Sequence, residues 1–300
     1  MKASEKQSIC KKLVTALKKR YKSPVPKTDD SVVDLMLFGV CLENQPVGEA
    51  QAALERLMTD FHDYNELRVS SVTELEAAFG GAEQSEYRAM RVRCILQDVF
   101  ERRGLNVAED EHYRFDLETL RRMTLDSATK LLAKFRHLSP FVTTFTLQAA
   151  LGAHLVPVDE RLRDAAVWLG LVPVGSTPAD ASDALKPAVR KADVARFSHL
   201  LRCLATDARL VKTIAAALKK PPEGGFDATT AVTRLDELYR AATKKRKTAK
   251  RKPTARASRT KTRKTAAKRT ATKKKAAKRK TSKPATRKKK TKTKRSKARR

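Results

Sequence analysis

Apolar residues recur three and four positions apart along most of the first 243 residues. No stretch alternates with period two for long enough to predict a strand. Residues 4–21 place Ile9, Leu13, Leu17 and Tyr21 on one helical face. Residues 31–42 are apolar on nearly every side, the pattern of a helix buried all round, and stop at Glu43-Asn44-Gln45-Pro46. A helix carrying Ala50, Ala53, Leu54, Leu57 and Met58 follows, then an aromatic loop at 61–64. Residues 72–79 are closed by Gly80-Gly81, and residues 85–103 by Gly104. The second of these is predicted to turn Met90, Ile95 or Cys94, and Val99 inward, with arginines 88, 91, 93, 102 and 103 outward. Further helices are expected at 117–123, at 126–135 with Asp126 as N-cap, and at 179–185, 192–204, 210–218 and 229–242.

Between them lies the most structured stretch of the pattern, residues 135–171. A turn at Ser139-Pro140 opens an apolar helix that runs to about Leu151. Extended Val156-Pro157-Val158 then leads to Asp159 and a helix carrying Leu162, Ala165, Ala166 and Leu169. Gly152 and Gly170 fall where the two helices should stop, because glycine accepts the left-handed conformation beyond a helix end. Asp159 has two readings from the residues alone: the N-cap of its helix, or a carboxylate held at a cleft.

Charge divides the chain. Of 66 Lys and Arg residues, 31 fall in 244–300, which has no acidic residue; residues 1–243 keep 35 basic against 33 acidic. The front is a nearly neutral all-α domain, 1–243. The tail, 244–300, has only alanine as apolar residue, so it cannot bury enough surface to offset ordering and is expected to be disordered. Its Lys/Arg/Ala/Thr blocks resemble the tails of linker histones and bacterial histone-like proteins. Such a segment binds polyphosphate by counterion release without reading sequence. Double-stranded DNA is the expected partner and RNA is possible. A membrane is not, since no aromatic or leucine face accompanies the charge.

The four cysteines, Cys10, Cys41, Cys94 and Cys203, have no ligand spacing, so no metal site and no cofactor is expected, and buried reduced thiols are. No apolar leader or run of membrane-spanning length occurs. The expectation is a soluble intracellular monomer, in cytoplasm or nucleoid if bacterial and in the nucleus if eukaryotic.

Four collinear pieces resemble the helix-hairpin-helix (HhH-GPD) DNA glycosylase superfamily, whose best-known member is endonuclease III. Leu42-Glu43-Asn44-Gln45-Pro46 lies where the family has L-S-x-Q-T. Residues 87–92, YRAMRV, match a basic residue, Ala and a later aliphatic. Residues 135–143, FRHLSPFVT, lie where it has the hairpin L-P-G-V-G and a following K/Y-T-A. Residues 158–171 match V-D-x-x-V-x-R-V-x-x-R-L-G-L without a gap. The likeness spans about 28–205 and implies an all-α body of two helical lobes.

The resemblance also implies roles. Asp159 is the catalytic carboxylate, facing a sugar whose base has been flipped from the duplex. Gln45 fills the vacated stack. His137, Ser139, Pro140 and Phe141 form the phosphate-binding hairpin, and Arg88 and Arg91 lie along the DNA backbone. Several positions depart from the pattern. His137 and Ser139 replace the hairpin glycines that let backbone N–H groups approach a phosphate. Phe141 stands at the Schiff-base lysine position, which implies base excision without lyase activity. Asp164 replaces the arginine of V-x-R-V, and the cluster-binding cysteines are missing. Three readings stand: a monofunctional glycosylase, a non-catalytic DNA-binding or nucleoid-associated protein on a degenerate body, and an RNA-associated basic protein. The sequence does not identify the lesion.

Overall fold

The computed structural model describes residues 2–26, 29–101 and 115–251, and divides the chain into two units, Met1–Ala249 and Lys250–Arg300. Among the described residues every regular element is a helix. In chain order these are α1 (Ala3–Lys18), α2 (Val32–Leu42), α3 (Val47–Asp60), α4 (Tyr64–Val69), α5 (Val72–Ala77), α6 (Ser85–Phe100), α7 (Leu125–Leu132), α8 (Pro140–Leu151), α9 (Glu160–Trp168), α10 (Pro178–Leu185), α11 (Val194–Ala205), α12 (Val211–Lys219) and α13 (Ala231–Arg251). Short 3-10 turns at Glu118–Arg122, Lys186–Ala188 and Lys191–Asp193 join some of them.

Side chains of the first unit bury into two clusters. One is built from α2 to α8 around Val33, Leu37, Leu57, Leu75, Ile95 and Leu132. The other joins α1 to α9–α13 around Leu13, Leu17, Leu162, Leu169, Phe197, Leu201 and Leu235. The chain thus leaves the second cluster after α1, builds the first, and returns through α9. This places the stretch between α8 and α9, and the turn after α2, where the clusters meet.

α2 explains its own sequence. Every residue except Asp34 is buried, so a helix with no polar stripe is the stable solution. Ser31 caps it by accepting from the Asp34 amide at 3.0 Å. Gly39 lets α8 approach: a Cβ there would lie 3.1 Å from a Val142 methyl and 3.3 Å from the Phe145 ring. Gly152 ends α8 at φ +60° and Gly170 follows α9 at φ +74°, as the pattern required. Gly170 is doubly constrained, because a Cβ would also collide with the Phe226 carbonyl oxygen.

Several expectations are corrected. The aromatic loop contains α4, capped by Asp63, which accepts from Glu66 N at 2.8 Å; six residues are too few to display a period. α7 is capped by Thr124 rather than Asp126, and the helix expected at 117–123 is the 3-10 turn Glu118–Arg122. On α6 the face is rotated: Ala89, Val92, Ile95, Leu96 and Val99 are buried together with Arg88 and Arg91, while Met90 is only half-buried and Arg93 alone of the named described arginines is exposed. Cys10 and Cys41 are buried, but Cys94 and Cys203 are half-buried; all four are free. α13 runs on to Arg251, eight residues into the segment expected to be disordered. The rest of that tail, 252–300, lies outside the described residues, as do Arg102 and Arg103.

Candidate nucleic-acid site

The turn that ends α2 organises the candidate site. A helix leaves its last carbonyls without intrahelical partners, and here Arg88 supplies them. Its Nη1 donates to Val40 O and its Nη2 to Glu43 O, both at 2.5 Å, while Nε donates to Glu83 O at 3.0 Å. Burial lowers the pKa of this guanidinium, with the nearby Glu43 charge opposing the shift. Arg88 is therefore an internal cap of α2, not the outward-facing residue expected.

Arg91, also buried, donates through Nη1 to Glu43 Oε2 at 2.6 Å and through Nε to His137 O at 3.1 Å. Its Nη2 is buried without a partner. Ser139 caps α8, accepting from Val142 N at 3.1 Å, and donates its own proton to the same Glu43 oxygen at 3.0 Å. Pro140 takes the first helical position, where a missing N–H costs nothing. His137 is half-buried. The hairpin is also tied to α6 by Arg136, whose amide donates to Asp98 at 2.9 Å.

Asn44 follows in the left-handed region at φ +57°, a conformation asparagine tolerates better than most residues. This aims its backbone N–H at Asp159 Oδ2, at 2.6 Å. Asp159 caps α9, with Oδ1 accepting from Leu162 N at 2.9 Å. Arg202 of α11 completes the set by donating through Nη1 to Asp159 Oδ2. The side chains of this ion pair are 3% and 1% exposed, and the Arg202 guanidinium lies 4.9 Å over the centre of the Phe141 ring. Phe141 is buried and stacks with Phe145. Gln45, 6% exposed, lines a separate recess with Arg56, Gly80 and Arg88.

Beside Arg202 a narrow apolar pocket is lined by Leu42, Val47, Phe141, Phe145, Leu162 and the α11 residues Ala195, Ser198, His199 and Arg202. Its cavity is about 50 Å³, against ~150 Å³ for an interior cavity that holds benzene. As it stands the pocket has no room for a base. The structure thus brings Asp159 and Phe141 together through Arg202, and Ser139 and Arg91 together through Glu43, with His137 joined to them through Arg91. Gln45 and Arg88 share the other recess.

Sequence reasoning missed Glu43, Asn44 and Arg202. Arg202 had a signal: positions 195, 198, 199 and 202 form one stripe at helical spacing, beside the apolar face at 197, 201 and 204. Among the described residues no group of His, Cys, Asp or Glu could hold a metal ion, and no helix is long and apolar enough to cross a membrane.

The described residues have the all-helical helix-hairpin-helix fold that solved DNA glycosylase structures share. Solved structures of endonuclease III are similar to this chain. One is endonuclease III trapped as a covalent intermediate with DNA, in an estranged-adenine complex (TM-score 0.50, 11% identity, 68% of this chain and 86% of that one). A second is a non-covalent endonuclease III–DNA complex (0.50, 10%, 68% and 86%). MBOgg1 with a low affinity DNA ligand is a third (0.47, 14%, 67% and 69%). No protein-family model and no curated protein matches the chain.

Proposed function

We propose that this protein is a DNA base-excision glycosylase that hydrolyses the N-glycosidic bond of an extruded base and has no lyase activity. The observation that carries the reading is Asp159: a carboxylate held by two backbone N–H groups at the junction of the two clusters, paired with the Arg202 that lies over Phe141. A fixed carboxylate there can stabilise the positive charge that develops on the sugar as the bond breaks, and can orient the attacking water. Phe141 has no amine to trap the opened sugar, so abasic sites are the product and strand breaks are not. Double-stranded DNA as substrate is supported by the fold, by the neighbours solved with DNA and by the +31 charge of residues 244–300.

Arg88, Arg91 and Ser139 act in this reading by shaping the hairpin and the α2 turn, since they are turned into the body and bonded to Val40, Glu43, His137 and Val142 there. Gln45 enters the stack only after leaving its recess. The Arg202–Asp159 pair favours a second reading, a non-catalytic DNA-binding protein, because it spends the carboxylate on an internal cation.

A panel of duplexes with different damaged or mismatched bases separates the two, assayed for abasic sites with and without alkaline cleavage. The expected result is alkali-dependent cleavage of at least one duplex, lost in Asp159→Asn. Asparagine is nearly as good a cap but carries no charge and leaves Arg202 unpaired. The double variant Asp159→Asn with Arg202→Met, which strands no charge, is therefore run beside it and should still bind an abasic duplex. Tight abasic binding with no excision across the panel would establish the second reading instead. Removal of 252–300 should leave the helical signal intact and flatten the slope of log affinity against log salt. An unchanged slope sinks the assigned role of the tail.

A further inference from the structure

Arg202 holds the place against Asp159 that a cationic sugar would need. We propose that Arg202 is a displaceable internal counter-ion, which silences Asp159 in the free protein and swings aside when DNA presents positive charge to that carboxylate. The inference rests on the glycosylase reading and names how its site is controlled.

The geometry supplies both seats of such a movement. In the present seat Arg202 donates to Asp159 and lies over Phe141. A guanidinium against a carboxylate cancels the negative field a developing oxocarbenium would feel, so both cations cannot use Asp159 at once. When Arg202 leaves, Asp159 keeps its bonds from Asn44 N and Leu162 N and so stays fixed in place.

The second seat lies one helical turn back along α11. Ser198 and His199 stand four and three residues before Arg202, the spacing at which helical side chains meet, and long side chains lean toward the helix N-terminus. Both line the same pocket as Arg202, and both carry a buried polar atom without a partner, Ser198 Oγ and His199 Nδ1. His199 Nε2 lies 3.2 Å from the Ser23 carbonyl. With the ring proton on Nε2, shared between that oxygen and the Ser23 hydroxyl at 3.1 Å, Nδ1 is a bare lone pair. Burial lowers the imidazole pKa, which favours this neutral form. Two buried polar atoms able to accept thus stand without partners in the pocket that Arg202 also lines. In a native interior unsatisfied polar atoms are few, and two beside one arginine call for a donor.

The test uses the full-length chain and two duplexes of one sequence. One carries the neutral tetrahydrofuran abasic analogue, the other a cationic pyrrolidine analogue, and affinities are compared at one salt concentration. Wild type should favour the cationic duplex by only a few-fold, because Arg202 competes for Asp159. Arg202→Gln should raise that preference at least tenfold, and Arg202→Lys, a cation with a different reach, should fall between. Adding Asp159→Asn to any of them should remove the preference. His199→Leu, which removes one of the second seat's two acceptors, should reduce the wild-type preference toward unity. If Arg202→Gln does not fold, the lysine and His199 variants still decide the matter. A preference indifferent to residues 202 and 199, or one that survives Asp159→Asn, overturns the inference alone. Failure of wild type to bind either analogue better than intact duplex overturns the glycosylase reading and this inference with it.

Discussion

The N-termini of α8 and α9 carry the same device in different surroundings. Each is capped by a side chain, Ser139 or Asp159, that accepts from an amide three residues on and is tied to the turn after α2, through Glu43 or Asn44. At α9 the cap is a charged group, nearly sealed from solvent and matched by Arg202 of α11, from the same hydrophobic cluster as α9. At α8 it is a neutral hydroxyl in a half-buried hairpin. The α9 cap is thus an ion-paired joint within the second cluster, tied to the first through the Asn44 amide. The α8 cap is a local fastening within the first cluster.

Breaking the joint should therefore cost most. Arg202→Ala leaves a buried carboxylate with only amide partners and should destabilise the fold by about 3–5 kcal/mol, since removing one member of a buried pair strands the other. The double change Asp159→Asn with Arg202→Met should recover much of that loss, because an amide and an apolar side chain need no charge partner. Urea unfolding of the two single variants and the double checks it. Equal losses for Arg202→Ala and the double variant would mean that packing on Phe141, rather than charge, holds α11 in place.

Next in size is the link between the hairpin and the α2 turn. Glu43 Oε2 accepts from both Arg91 and Ser139, so Glu43→Ala orphans two donors at once. The expected loss is about 1–3 kcal/mol, read from urea unfolding. Glu43→Gln, which keeps an acceptor oxygen, should lose less. Neither change should alter the cationic-duplex preference, since Asp159 is held by Asn44 and not by Glu43.

How far these two sites were legible follows from what a linear pattern encodes. Asp159 could be found because an apolar trio, a capping residue and a helix closed by Gly170 stand in fixed order, and local order is what a sequence displays. Both hairpin features, Ser139-Pro140 and Gly152, were visible for the same reason. Arg88 and Arg91 were misplaced because an arginine's letter predicts solvent, while its burial here depends on carbonyls at Val40, Glu43 and His137, contributed by distant segments. Arg202 lies 43 residues beyond Asp159. Its polar stripe on α11 was present in the sequence, but only the return of the chain to the second cluster shows that the stripe faces α9.

The smallest effect is the one that isolates the hairpin. Ser139→Ala should cost about 1 kcal/mol, the usual loss of an N-cap, whereas Ser139→Gly should cost only a few tenths at the cap itself plus its bond to Glu43. Both variants lose the hydroxyl, so they differ in the Cβ. The resemblance implies hairpin glycines at 137 and 139, where the lack of a Cβ would let backbone N–H groups reach a phosphate in the proposed reading. The hydroxyl here cannot replace them, since its proton is donated to Glu43 and its oxygen accepts from Val142 N. Ser139→Gly should therefore bind duplex DNA as tightly as wild type or a few-fold more tightly, while Ser139→Ala gains nothing. Adding His137→Gly should extend the gain. The measurement is affinity at moderate salt in the chain lacking 252–300, where the polybasic segment does not mask a few-fold change. A clear loss of affinity in both Ser139 variants would instead make the hydroxyl a phosphate donor that leaves Glu43 on binding, and the two N-termini would then both be movable contacts.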